Sequence, residues 1–196
     1  MGESILIPGG RDSRGWLDSA GEADAVVVAC PPHPQQGGSP TDERLRAVSD
    51  ALVAEDVDCL RLDYGPWAEA QGERRDVENA VAWARERYET VGLFGYSFGA
   101  TLALVVASEG GVDAASALAP DATLGDGLDA VASVSELRVP TQVCVGERDT
   151  TVDWEPVADA ARERGLRVET LSADHFFVGQ AGNVAEVVRE FLIAEL

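Results

Sequence analysis

Lysine is absent from the sequence, and its absence leaves all 15 basic positions to arginine. They are outnumbered by 35 acidic residues, and the formal net charge is -20. A surface this acidic repels the phosphates of nucleic acids and anionic lipids, so we expect neither nucleic acid nor membrane as a partner. Because the acidic residues are scattered, they indicate a solvated surface rather than a binding tail. Such acidity without lysine resembles the soluble proteins of extreme halophiles, where salt screens self-repulsion.

Cysteine and long apolar runs are also scarce. The three cysteines, Cys30, Cys59 and Cys144, lie far apart in separate apolar segments. This odd number and wide spacing predict buried, reduced thiols rather than a disulfide framework or a metal cluster, and we expect no cofactor. No apolar run approaches the roughly 18 residues of a membrane span, and the amino terminus lacks the features of an export signal. We therefore expect a soluble protein of the cytoplasm.

The sequence does contain a regular alternation of β-like and helical segments. Short runs rich in valine and leucine, such as "AVVVAC" and "TQVCVG", alternate with stretches whose apolar residues are three and four positions apart. This alternation predicts an α/β fold with a doubly wound, mostly parallel sheet of about seven strands and helices on both faces. The length of 196 residues, without a linker or repeat, predicts a single domain over 1–196.

The stretch "TVGLFGYSFGATLALVVASE" places Ser97 between Gly95 and Gly99, where a predicted strand gives way to a predicted helix. On so sharp a turn the serine side chain projects above the sheet, and the glycines let neighbouring backbone approach closely. The helix amino terminus also favours negative charge that develops nearby. The alternative is that Ser97 only caps the helix. The strand before it and the helix after it favour a nucleophile.

A serine nucleophile needs a base, and the sequence offers only two histidines. His33 precedes Ser97, in the loop "PPHPQQGGS", whereas His175 lies near the end, in "SADHFFVG". When a serine lies on such a turn, its partners follow in the order serine, acid, histidine. This order favours His175 as the base, and a surface histidine without a catalytic role is the alternative.

The acid is expected at the carboxyl end of a strand between the serine and the base. The candidates are the acidic residues that follow two predicted strands: Asp121 after the first, and Glu147, Asp149 and Asp153 after the second. We favour Asp149, because the apolar run stops shortly before it and a short turn then directs its side chain toward the sheet edge. Asp121 is the fallback. Asp174 would point away from the adjacent His175 in an extended chain.

The segments "GYSFG", "GERDTTV" and "ADHFF", in this order, resemble the small dienelactone-hydrolase-like and esterase-like members of the α/β-hydrolase superfamily. The loop "CPPHPQQGGS" is similar to their HPHP-type loop after the third strand. The resemblance covers nearly the whole chain and implies Ser97 as nucleophile, Asp149 as acid and His175 as base. The dienelactone hydrolases proper use a cysteine nucleophile, so Ser97 indicates ester-like chemistry instead.

The resemblance also implies an oxyanion hole. One donor is the backbone N–H of Phe98, directly after the nucleophile, and the other belongs to the loop around His33. The prolines of that loop have no N–H, which leaves Gln35 as the preferred donor and His33 or Gln36 as alternatives. The His33 ring is expected chiefly to fix the loop by hydrogen bonding.

The segment in which larger relatives insert a lid is short here, so no cap domain is expected. We expect an open pocket for small or flexible acyl groups, lined by His33, Tyr64, Tyr96, Asp121 and Phe176. The predicted function is cleavage of a small carboxylic ester or thioester through an acyl-enzyme. Alternatives are a peptidase, an acyltransferase, or a non-catalytic scaffold that binds a small ligand or a partner protein. The oligomeric state is left open, with a homodimer as one option.

Overall fold

The computed structural model of the chain describes residues 2–125 and 127–196. The strands are β1 (Glu3–Leu6), β2 (Arg14–Asp18), β3 (Ala25–Cys30), β4 (Asp58–Asp63), β5 (Thr90–Tyr96), β6 (Ala114–Leu118), β7 (Thr123–Leu124), β8 (Leu128–Asp129), β9 (Thr141–Gly146) and β10 (Arg167–Leu171). The α-helices are α1 (Glu43–Val53), α2 (Gln71–Arg85), α3 (Phe98–Glu109), α4 (Ala130–Glu136), α5 (Glu155–Glu163) and α6 (Ala181–Glu195). A short 3-10 turn covers Pro34–Gln36.

Eight strands form one sheet in the order β1-β2-β4-β3-β5-β6-β9-β10. The six strands from β4 to β10 in this order run parallel, while β1 and β2 join one edge in antiparallel fashion. The predicted doubly wound α/β fold is therefore confirmed, with eight strands in the main sheet rather than about seven. The sequence analysis missed β2, whose sequence "RGWLD" contains a glycine and has charged ends.

Two hydrophobic cores cover the two faces of the sheet. On one face, α1 and α6 pack side chains such as Leu45 and Val188 against the strands. On the other face lie α2, α3, α4 and α5. Val26 and Val28 of β3 belong to the second core and Val27 to the first, and all three are fully buried. Burial on both faces explains why the central strands are continuous apolar runs.

Among its described residues, the segment between β6 and β9 holds only the two-stranded ribbon of β7 and β8 and the short helix α4. Within residues 2–125 and 127–196 there is accordingly no cap domain over the carboxyl ends of the strands. In open α/β sheets ligands bind at these ends, because the loops that follow the parallel strands meet there. The loops after β3, β4, β5, β6, β9 and β10 carry the residues that the sequence analysis singled out.

The remaining sequence expectations concern the cysteines and the helices. All three cysteines are free and buried, as predicted. Burial raises the pKa of Cys59 and of Cys144 to about 12, and that of Cys30 higher still. None of the helices in the described parts of the chain combines the length and apolar character needed to cross a bilayer.

Candidate active site

Ser97 forms the turn between β5 and α3 in a backbone conformation that few residues adopt. Its φ of 55° and ψ of -118° lie where non-glycine residues are strained. A Cβ atom on Gly95 would lie 2.1 Å from the carbonyl oxygen of Gly99, and one on Gly99 would lie 2.3 Å from that of Cys30. The turn therefore requires both glycines. The Ser97 side chain makes no capping hydrogen bond to α3, so the alternative role as a helix cap is not supported.

The structure brings Ser97, His175 and Asp149 into one hydrogen-bonded chain. The Ser97 Oγ atom lies 3.0 Å from His175 Nε2, and His175 Nδ1 lies 2.7 Å from Asp149 Oδ2. The side chains of His175 and Asp149 are 6% and 0% exposed, so water does not compete for this second bond. An ionised carboxylate only accepts hydrogen bonds, which assigns the ring proton to Nδ1 and leaves Nε2 free to accept from the serine hydroxyl.

Asp149 owes its position to a tight turn after β9. Its N–H donates to the carbonyl oxygen of Gly146 at 3.0 Å, and its Oδ1 accepts the N–H of Thr151 at 2.8 Å. These bonds leave Oδ2 pointing at His175. The indole N–H of Trp154 donates to the backbone carbonyl of Asp149 at 3.1 Å and fixes the turn from the other side.

The other acidic candidates do not contact the base. Asp121 accepts the N–H of Asp153 through Oδ1 at 3.2 Å, and its backbone is tied to the Thr101 hydroxyl. It lines the cavity in front of Ser97. Asp174 uses Oδ1 to accept the N–H of Phe176 at 3.0 Å and so serves its own loop. Glu147 pairs at the surface with a neighbouring arginine and serine.

The loop after β3 differs in detail from the expectation. The Gln35 N–H donates to Nδ1 of His33 at 3.2 Å, and the Gln36 N–H donates to the His33 carbonyl oxygen at 2.9 Å. Both N–H groups are thus used inside the loop, which disfavours Gln35 as the oxyanion donor. In the described part of the chain, the N–H groups of His33 and Phe98 have no acceptor. The backbone of His33 therefore replaces Gln35 as the candidate donor.

The His33 ring fixes this loop, as expected. Burial lowers the pKa of His33, so the ring is neutral near pH 7 and its Nδ1 can accept from Gln35. The ring packs against Trp67 and Phe98, with centroid distances of 4.7 and 4.9 Å, and these two rings also contact each other at 5.9 Å. This aromatic cluster and the internal hydrogen bond hold the loop against the first turn of α3.

The predicted pocket residues divide into those that line the cavity and one that does not. The cavity in front of Ser97 has a volume of about 370 Å³, and His33, Tyr96, Asp121 and Phe176 contribute to its walls. Tyr64 stands behind the wall: its hydroxyl donates to the carbonyl of Pro31 at 3.1 Å, and its ring packs edge-on against Phe98. Tyr64 is thus a supporting residue, because the turn after β4 places it beneath the loop.

Two features of the cavity were not anticipated. Asp42 and Arg44, at the start of α1, line it on the side of Phe176. A second depression of about 540 Å³ adjoins it beyond His33 and Phe98 and is lined in part by the half-exposed Trp67. The segment "TDER" signals a helix start in the sequence, but no local pattern indicates that this start faces the serine.

The chain is similar to a known protein family and to several solved structures. The model of the dienelactone hydrolase family matches residues 66–179, more than half of the chain. No curated protein sequence matches the chain. Solved structures match over nearly their full length at low sequence identity. Est1E from Butyrivibrio proteoclasticus is 16% identical, with a TM-score of 0.86 and coverage of 100% of this chain and 99% of that one.

Two further solved structures are described as serine hydrolases. An α/β serine hydrolase homologue from Coxiella burnetii is 22% identical, with a TM-score of 0.82 and coverage of 96% of both chains. XC6422 from Xanthomonas campestris, an α/β serine hydrolase without a lid, is 20% identical. Its TM-score is 0.83, and the match covers 100% of this chain and 95% of that one. These matches show the α/β-hydrolase fold.

Proposed function

This chain belongs to the dienelactone hydrolase family, and we propose that it is a serine hydrolase that cleaves small carboxylic esters or thioesters through an acyl-enzyme. The observation that carries the proposal is the continuous chain from Ser97 Oγ to His175 Nε2 at 3.0 Å and from His175 Nδ1 to Asp149 Oδ2 at 2.7 Å. Three residues that lie far apart in sequence meet in the geometry that activates a serine hydroxyl.

The reaction follows from this geometry in two steps. In the first, the Ser97 hydroxyl attacks the carbonyl carbon of the substrate while its proton moves to His175 Nε2. The resulting imidazolium is stabilised by Asp149 and then gives its proton to the leaving alcohol or thiol. In the second step, His175 removes a proton from water, which attacks the acyl carbon; His175 then returns the proton to Ser97 Oγ as the ester bond to Ser97 breaks and the acid leaves.

The oxyanion that forms in each step needs N–H donors that are not already used. We assign this role to the backbone N–H groups of Phe98 and His33. The first lies at the amino terminus of α3, where the helix dipole favours negative charge. The second lies on the loop after β3, which is held in place by its prolines and by the packing of the His33 ring against Trp67 and Phe98. Each such donor contributes roughly a 10²- to 10³-fold rate effect.

The cavity favours small, uncharged substrates. Its volume of about 370 Å³ suits a short acyl or alcohol group, and the net charge of -20 repels anions. The second depression, beside Trp67, offers room for a flat acyl group. Est1E, with which this chain shares its fold, has been solved with ferulic acid bound. Aryl esters such as feruloyl esters therefore belong in a substrate screen together with short-chain esters.

The proposal is tested by chemical labelling and turnover. We expect the protein to react covalently with a fluorophosphonate probe, which needs an activated serine, and to hydrolyse short-chain nitrophenyl esters and thioesters in molar salt. Ser97→Ala should abolish both labelling and turnover and leave the melting temperature nearly unchanged. If the native protein is neither labelled nor active, a binding scaffold becomes the better description. Turnover of an amide or acyl transfer to an added alcohol would identify the peptidase or acyltransferase alternatives.

A further inference from the structure

The loop that carries His175 has little regular structure of its own. It joins β10 to α6 through two turns, and Phe177 within it is buried with a φ of 48°, a left-handed conformation that is unfavourable for phenylalanine. The side chain of Phe176 is exposed. A loop of this kind keeps an imidazole within hydrogen-bond distance of a serine only if other elements hold it.

Two side chains outside the loop hold the peptide carbonyls of consecutive loop residues. The Tyr96 hydroxyl donates to the carbonyl oxygen of His175 at 3.0 Å. Arg44 Nη1 donates to the carbonyl oxygen of Phe176 at 2.7 Å. Tyr96 directly precedes Ser97, so it links the nucleophile turn to the base. Arg44 comes from the first turn of α1, on the other side of the loop.

Arg44 is itself fixed by three contacts. Its Nε donates to Asp42 Oδ1 at 2.9 Å, its Nη2 contacts Asp42 Oδ2, and its guanidinium lies 4.7 Å from the centre of the Tyr96 ring. Asp42 caps α1 by accepting the backbone N–H of Arg44 at 2.9 Å. Burial alone would lower the pKa of Arg44, but the hydrogen bond to Asp42 and the charges of neighbouring groups such as Asp42 and Glu43 raise it overall. The guanidinium is therefore a charged and well-oriented donor.

We propose that Arg44 is a positioning residue that, together with Tyr96, holds the His175 loop so that Nε2 stays in line with Ser97 Oγ. This inference rests on the proposed serine hydrolase function. Arg44 also lines the cavity, so binding of a substrate carboxylate is the competing role. Its Nε and Nη2 already contact the Asp42 carboxylate, and its Nη1 donates to the Phe176 carbonyl. The charge of the guanidinium is therefore balanced by Asp42 rather than available for a substrate carboxylate, which favours the positioning role.

The first test compares Arg44→Ala with a matched arginine. Arg189 of α6 donates to Glu55, just after α1, at 2.8 Å, so it also links the α1 region to the carboxyl-terminal part of the chain, but away from the cavity. The exposed fractions of the two arginine side chains are 24% for Arg189 and 18% for Arg44. We expect Arg44→Ala to lower kcat about 10- to 100-fold, because misplacement of a catalytic group by about 1 Å has effects of this size. KM should change less than about threefold, and Arg189→Ala should leave both constants unchanged.

Two more variants separate positioning from charge. Arg44→Lys keeps the charge but loses the planar fork that serves Asp42 and Phe176 together, so it should recover only part of the loss. Tyr96→Phe keeps the ring beneath the guanidinium and loses the bond to the His175 carbonyl, and we expect a loss of similar size. Because both residues hold one loop, the double variant should lose less than the product of the two single effects.

A spectroscopic measurement tests the inference without turnover. The Nδ1 proton of His175, bonded to Asp149, should give a low-field proton NMR signal that broadens in Arg44→Ala and persists in Arg189→Ala. An unchanged kcat and NMR signal in Arg44→Ala would overturn the inference, as would full recovery by lysine or an effect confined to KM. If the native protein neither turns over ester nor reacts with fluorophosphonate, the proposed function fails, and the NMR signal still reports whether Arg44 holds the loop.

Discussion

Replacement of Asp149 by asparagine is the sharpest test of the triad, because the structure fixes how the new side chain would sit. The Thr151 N–H donates to Oδ1 of Asp149 at 2.8 Å, so in Asp149→Asn the amide oxygen is expected at that position. The amide NH₂ would then face Nδ1 of His175, where Oδ2 now lies at 2.7 Å. An NH₂ donor forces Nδ1 to act as an acceptor and moves the ring proton to Nε2. That tautomer cannot take the proton of Ser97.

The expected loss in kcat is up to about 10⁴-fold, from the wrong tautomer and the missing charge beside the imidazolium. A factor of 10⁴ corresponds to about 5 kcal/mol of transition-state stabilisation. Asp121→Asn is the matched control: it makes the same substitution at a carboxylate that lines the cavity. Asp121 contacts Asp153 rather than His175, and we expect a loss below about tenfold. The assay is steady-state hydrolysis of a nitrophenyl ester, with melting temperatures measured in parallel. A crippled Asp121→Asn beside a nearly normal Asp149→Asn would refute the assignment.

Three further predictions concern the fold and its surface. Gly95→Ala and Gly99→Ala should each lower the free energy of unfolding, measured by urea unfolding, by about 3 kcal/mol or prevent folding, because the new Cβ atom would meet backbone carbonyls. Gly182→Ala on α6, where a Cβ atom has open space, should raise the free energy of unfolding by up to about 1 kcal/mol in the same measurement. The three buried thiols should react with a thiol reagent only after unfolding, and fast reaction of the native protein would contradict the burial that raises each pKa. The melting temperature should rise with potassium chloride, because about 1 M salt shortens the Debye length to about 3 Å and screens the charge of -20; a melting temperature indifferent to salt would count against this.

The sequence by itself determined those features that follow from local pattern. Apolar runs such as "AVVVAC" and "TVGLFG" are covered on both faces of a parallel sheet, so they are recognisable as strands without any knowledge of their neighbours. Strand β2, which lies next to the edge strand β1, and the ribbon of β7 and β8 were missed, because short strands near an edge or over a loop are specified by pairing rather than by their own hydrophobicity.

The turn at Ser97 is also a local feature. Two glycines at fixed positions between a strand and a helix are needed here, because a Cβ atom at either position would lie 2.1 or 2.3 Å from a backbone carbonyl oxygen. The order serine, acid, histidine follows from strand order and could be predicted in the same way. The catalytic roles of these residues stay predictions for the variants described above.

Only the tertiary structure distinguished between residues that carry the same functional group. Asp121 and Asp149 both follow a strand, and only the direction of the turn after β9 brings one of them to His175. Gln35 is not a proline and so has an N–H group, yet in the folded loop this group donates to the His33 ring, which makes the His33 N–H the candidate donor. Arg44 lies far in the chain from the loop that it holds. Such assignments depend on which backbone groups are already hydrogen-bonded and on contacts between segments that are distant in the chain. The local sequence specifies neither of these.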